Sequence, residues 1–99
     1  MANDPKLIDA RPLYGGREEL RVYLEAFRGL TRLHIRRWYR DGDEWKPGKG
    51  ATITPDLIPW LRLRLAEAEA AALEQGLVDE EAYETLGLPL PPALTGDAA

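Results

Sequence analysis

Apolar and polar residues alternate twice in the first half of the chain. In LRVYLEA, Leu20, Val22 and Leu24 alternate with Arg21, Tyr23 and Glu25, the two-residue period of a half-buried strand. TRLHIRRWYR repeats the pattern, with Leu33, Ile35 and Tyr39 on one side and Arg32, His34, Arg36 and Trp38 on the other. Between them FRGL, with Gly29, reads as a tight hairpin turn. DGD is a second turn, EWKP a short strand stopped by Pro47, GKG a third turn and ATIT a fourth short strand. Residues 1–16 are polar and carry Pro5, Pro12 and the Gly15–Gly16 pair, so they read as a flexible, irregular arm.

The period changes after Thr54. Thr54 is a suitable helix N-cap, Pro55 suits the first helical position, and Asp56 complements the positive helix end. Leu57, Ile58, Leu61, Leu65, Ala68 and Ala72 fall on one helical arc, and Gly76 is placed to cap the end. Pro59 is harmless only where the helix starts late enough to keep it in the first turn. Leu63, Ala66, Ala70 and Leu73 form a second stripe, suited to helix–helix packing across a dimer. Trp60 reads as a core or dimer-interface residue. DEEAYETLG makes either a short helix capped by Asp79 or part of a mobile, Pro-rich tail. The pattern thus predicts an α+β fold: a four-stranded antiparallel meander, then a long amphipathic helix. The expected divisions are an arm over 1–16, a domain over 17–76 and an acidic, Pro-rich tail over 77–99. One sheet face stays free, the face bearing Arg32, His34, Arg36 and Trp38.

Composition removes several chemistries. The chain has no Cys, no Ser and a single His, His34. Ser-His-Asp and Cys-His nucleophiles and His/Cys zinc sites are therefore excluded. The DGDE stretch lacks the glycine spacing and distal Glu of a calcium loop and reads as a solvated turn. No cofactor is implied and the protein is not read as an enzyme. The absence of Cys fits a reducing compartment, no apolar run is long enough to span a bilayer, and a cytoplasmic, nucleoid-associated location is expected. Charge is divided: residues 1–65 hold all 13 Lys and Arg against 9 acids, +4, whereas residues 66–99 hold 8 acids and no base, −8, which sum to the net −4. A basic front half is an electrostatic footprint for polyanions. The acidic tail is drawn towards that same surface.

Single strands are held by a positive groove along the phosphates and by aromatic rings on which bases stack. RLHIRRWYR supplies both on one open sheet face, and Phe27, Arg28, Trp45, Lys46 and Lys49 add more at neighbouring turns. FRG, HIRRWY, KPGKGATIT and PDLIPW, in this order, resemble the positive cofactor four family of transcriptional coactivators over about Gly16 to Leu73. The family binds single-stranded DNA and has bacterial and phage relatives; this chain resembles that type of member. The resemblance implies a curved sheet and a homodimer formed through the helix. It carries DNA contacts onto Phe27, Arg28, Arg36, an aromatic at Trp38 or Tyr39, Lys46 and Lys49; Arg32 joins them from the free sheet face. Strand parity points to Trp38, whereas ungapped alignment with the motif points to Tyr39. The DGDEW turn is one residue shorter than the family pattern, and PGKG lacks one basic residue. Single-stranded DNA is the expected partner, with RNA left open, together with transcription or replication machinery. A protein-interaction module of the same fold, working through its helix or acidic tail, is the alternative.

Overall fold

The computed structural model describes residues 5–95. The described residues divide into two compact units that part between Ile58 and Pro59. The first is a four-stranded antiparallel meander in the order β1-β2-β3-β4, with β1 at Lys6–Leu13, β2 at Glu18–Phe27, β3 at Leu30–Asp41 and β4 at Glu44–Ile53. The α+β class and the meander are as expected, but two of its strands are differently built. Residues 6–13, read from sequence as irregular arm, form β1. This edge strand shows no alternation because a bulge at Ile8 resets its parity and most of its side chains face solvent. EWKP and ATIT are one continuous strand through PGKG, where a third turn, at GKG, had been expected to separate two short strands.

β4 continues through Pro47 because it is an edge strand, so the missing N–H removes no second ladder bond. The register jumps from Arg36↔Gly50 to Trp38↔Pro47, which leaves Gly48 and Lys49 opposite Arg37 as a β-bulge. Gly50 has a different reason for being glycine. A Cβ there would strike the Ile35 carbonyl oxygen and stand 2.5 Å from Arg36 Cα. The β2–β3 turn is Arg28–Gly29, with φ of 53° and 83°, the signature of a two-residue hairpin loop in which both residues are left-handed.

Register divides the sheet into two faces. Val22, Leu24, Leu33, Ile35 and Ile53 share one. Arg21, Tyr23, Phe27, Arg32, His34, Arg36 and Trp38 share the other. Burial is concentrated at the centre, in Tyr23, Leu33 and His34.

A 3-10 turn at Pro55–Leu57 precedes α1, Ile58–Glu74. Thr54 stands at the cap position, but its side chain makes no capping bond. Pro59 falls within the first turn of α1, where its lack of an N–H costs nothing. In the second unit, Gly76 ends α1 at φ 70°, with Leu77 N–H donating to Ala72 O (2.9 Å) and Gly76 N–H to Leu73 O (3.1 Å), the Schellman arrangement. The chain beyond it is ordered into α2, Glu80–Glu84, and α3, Pro92–Thr95. Asp79 caps α2 by accepting from Ala82 N–H. Tyr83 is buried and its hydroxyl donates to Glu69 of α1. That hydrogen bond, then burial and the Glu69 charge, push the Tyr83 pKa up. Of the two readings of DEEAYETLG, the short helix holds. Residues 96–99 of the expected tail lie outside the described ones.

Candidate nucleic-acid interface

The alternation in β3 does bring Arg32, His34, Arg36 and Trp38 to one face, but that face is largely filled by its own side chains. Tyr23 and His34, directly paired across β2 and β3, stack with centroids 4.9 Å apart and planes 8° from parallel. Trp38 meets Tyr23 edge-on at 5.9 Å, and Phe27 meets His34 edge-on at 6.2 Å. Arg21 from β2 lays its guanidinium 4.3 Å from the Trp38 ring centroid and 5.3 Å from that of Trp45. Arg40 stands 5.3 Å from Trp45 on the same side. Cation–π contacts of this geometry hold Trp38 under Arg21. The Trp38 Nε1 and the Arg32 Nε are buried without a hydrogen-bond partner among the described residues.

His34 and Arg36 are tied into the backbone of their neighbours. Arg36 Nη1 donates to Gly48 O (2.8 Å), and Nη2 donates to Thr52 Oγ1 (3.0 Å). His34 Nε2 lies 3.3 Å from Glu25 O, and Nδ1 lies 3.3 Å from Thr52 Oγ1. A carbonyl can only accept, so Nε2 donates to Glu25 O, which leaves Nδ1 to pair with the Thr52 hydroxyl. The chain Arg36, Thr52, His34, Glu25 links β4, β3 and β2, and the second Arg36 bond holds the bulge at Gly48. Arg36 thus spends two of its donors on the sheet itself.

The other predicted residues lie elsewhere. Tyr39 and Lys46 are cross-strand partners on the opposite face from Trp38, and Lys46 Nζ pairs with Asp41 Oδ2 at 2.6 Å. Both partners of that pair are exposed, so it contributes little to stability. Tyr39 is 44% exposed. With Arg37, Lys49, Gly48 and Glu18 it lines an open cleft at the end of the sheet farther from the β2–β3 turn. Arg37 also donates from Nη2 to the Tyr14 hydroxyl at 2.7 Å. Phe27, 43% exposed, is at the tip of the β2–β3 hairpin, where Arg28 stands 5.2 Å from its ring centroid.

The eight predicted residues therefore form three groups: Arg32, Arg36 and Trp38 in the packed face, Phe27 and Arg28 at the hairpin tip, and Tyr39, Lys46 and Lys49 on the reverse face. Sequence reasoning missed Arg21, Arg37, Tyr14 and Trp45. The pairing Arg21↔Arg36 was open to the parity argument, since both strands alternate in phase; Tyr14 left no periodic signal.

Residues 16–62 match the family model Transcriptional Coactivator p15 (PC4). The match runs from the glycine before β2 into the first turns of α1 and so spans three of the four strands. No curated protein and no solved structure gives a significant match to the chain.

Proposed function

We propose, from the membership of residues 16–62 in the Transcriptional Coactivator p15 (PC4) family, that the chain is a non-catalytic, coactivator-like protein that binds single-stranded DNA. The observation that carries the binding mode is the cleft of Tyr39, Arg37 and Lys49, a half-exposed ring beside two cations in the matched segment. A base stacks on Tyr39 while its flanking phosphates meet Arg37 and Lys49. Phe27 and Arg28 form a second exposed ring-and-cation element. Trp38, Arg32 and Arg36 act behind these surfaces by holding β2, β3 and β4 in place. Two copies associate through α1, whose Trp60, Leu63 and Leu65 are each more than half exposed. The protein works in the cytoplasm, on nucleoid DNA, alongside transcription or replication machinery. The same apolar strip on α1 supports the second reading, a protein-interaction module of this fold.

The test is equilibrium binding of labelled single-stranded DNA, duplex DNA and single-stranded RNA of one sequence at two salt concentrations. Single strands are expected to bind more tightly than duplex, with affinity falling by a log–log slope of roughly −0.7 per phosphate contacted. Equal affinity for duplex, or no binding to single strands at low salt, overturns the reading in favour of the interaction module.

A further inference from the structure

Tyr14 is an unusual residue for its place. It lies in the β1–β2 turn, outside the matched segment, and takes φ 51°, followed by Gly15 at 68° and Gly16 at 90°. A residue with a Cβ is strained there, and glycine would relieve it. Strain of this kind persists where the surroundings hold the residue for a purpose. Filling the core is not that purpose, because Tyr14 is 55% exposed.

Both ends of the residue are nonetheless anchored. Its carbonyl accepts from Arg17 N–H (3.4 Å) and from Arg17 Nε (3.3 Å). Its hydroxyl accepts from Arg37 Nη2 at 2.7 Å, and the Arg37 guanidinium stands 5.3 Å from the ring centroid. An exposed ring fixed at both ends loses little side-chain freedom on binding, which is what a stacking platform requires. The register places this platform beside the cleft already described. Leu13 pairs with Glu18, and Glu18 pairs with Tyr39, so Tyr14 and Tyr39 flank β2, with strand spacings that sum to about 10 Å. Arg37 lines the cleft with Tyr39 and also holds Tyr14.

We infer that Tyr14, oriented by Arg37, is a second base-stacking ring of the single-strand site, so that a strand crosses the end of the sheet with one base on Tyr39 and another on Tyr14. This rests on the single-stranded-DNA reading above and adds the N-terminal turn to the site. Phosphates between the two bases meet Arg37, and the free donors of Arg17 lie at the outer end.

Fluorescence anisotropy of a labelled oligothymidylate tests it, with the full chain, Tyr14→Gly, Tyr14→Phe and Tyr39→Ala, each at two salt concentrations. A strand of the same length lacking bases is the control probe. Tyr14→Gly is expected to weaken oligothymidylate binding by about 5- to 150-fold, the effect of one lost stack, with an unchanged salt slope and little change on the base-free strand. Its melting temperature is expected to stay the same or rise, because glycine removes the strained φ. Tyr14→Phe keeps the ring but loses the Arg37 tether, so its loss is smaller. Undiminished binding by Tyr14→Gly, while Tyr39→Ala is weakened, overturns the inference and leaves the functional reading intact. An equal loss on both probes with a lowered melting temperature assigns Tyr14 to the fold and also overturns it. No binding by the unaltered chain removes the functional reading, and this inference with it.

Discussion

Replacing Gly50 with Ala adds one methyl group where two backbones touch. The new Cβ would meet the Ile35 carbonyl oxygen and lie 2.5 Å from Arg36 Cα and 2.7 Å from Arg36 Cβ. Real Cβ atoms essentially never come nearer than 3.0 Å, so β3 and β4 must part by at least the difference, 0.5 Å. Neither neighbour is a flexible side-chain end, so the strain passes into the ladder. Overpacking of this kind costs about 1–3 kcal/mol. The same displacement pulls on the Arg36 bonds to Gly48 O and Thr52 Oγ1, and a hydrogen bond contributes ~1 kcal/mol. Together these give about 2–4 kcal/mol, or a fall in Tm of roughly 10–30 °C for a domain of this size. Far-UV circular dichroism at one fixed protein concentration measures the fall, and tryptophan fluorescence reports the region through Trp38 and Trp45. Gly48→Ala is the comparison, since its Cβ would lie 3.1 Å from Arg37 O and 3.4 Å from the Tyr39 ring. It should lose clearly less. A Gly50→Ala protein that melts within a few degrees of the parent, or no lower than Gly48→Ala, refutes the steric argument.

Tyr39→Ala should weaken single-strand binding by about 1–3 kcal/mol with little change in Tm, whereas Trp38→Ala, which removes a half-buried ring from under Arg21, should chiefly lower Tm. Anisotropy and melting on the two variants check this, and the reverse outcome returns the stacking role to Trp38. Light scattering at micromolar concentration should give twice the chain mass, and Trp60→Asp should shift the species towards one chain; a monomeric parent counts against association through α1. Tyr83 has its pKa raised above the ordinary 10.0 by its bond to Glu69. Above the unfolded pKa the unfolded chain binds fewer protons, so stability should fall as pH rises from 10.0 through the folded pKa. Tyr83→Phe should flatten that fall, and a melting curve with the same alkaline slope in both proteins would contradict it.

The two central strands were legible because each is flanked by partners and half-buried, so alternation survives in LRVYLEA and RLHIRRWY. β4 was misread because Pro47 and the glycines obey local turn rules that pairing with β3 overrides, with Gly48 and Lys49 absorbed as a bulge. β1 was invisible because an exposed edge strand with a bulge at Ile8 keeps no period. For the site, parity correctly set Trp38 beside Arg36, but parity carries no information about cover. Arg21 comes from another strand, and its position over Trp38 decides which ring is accessible. The helix cap was half legible: Thr54 has the right position and backbone, yet its hydroxyl makes no capping bond.

An open sheet has two unpaired rims, each a template for another chain to add a strand. Here both rims are spoiled. On β1 the obstacles are Pro12 and the bulge at Ile8; on β4 they are Pro47 and the bulge at Gly48 and Lys49. Strand addition at either rim would meet a missing donor and a twisted ladder, which disfavours edge-to-edge pairing with another chain. The Lys-Pro-Gly-Lys-Gly run thus guards solubility while it presents Lys49. A replacement that straightened β4 would be expected to make the sheet edge self-adhesive, even with every cation retained.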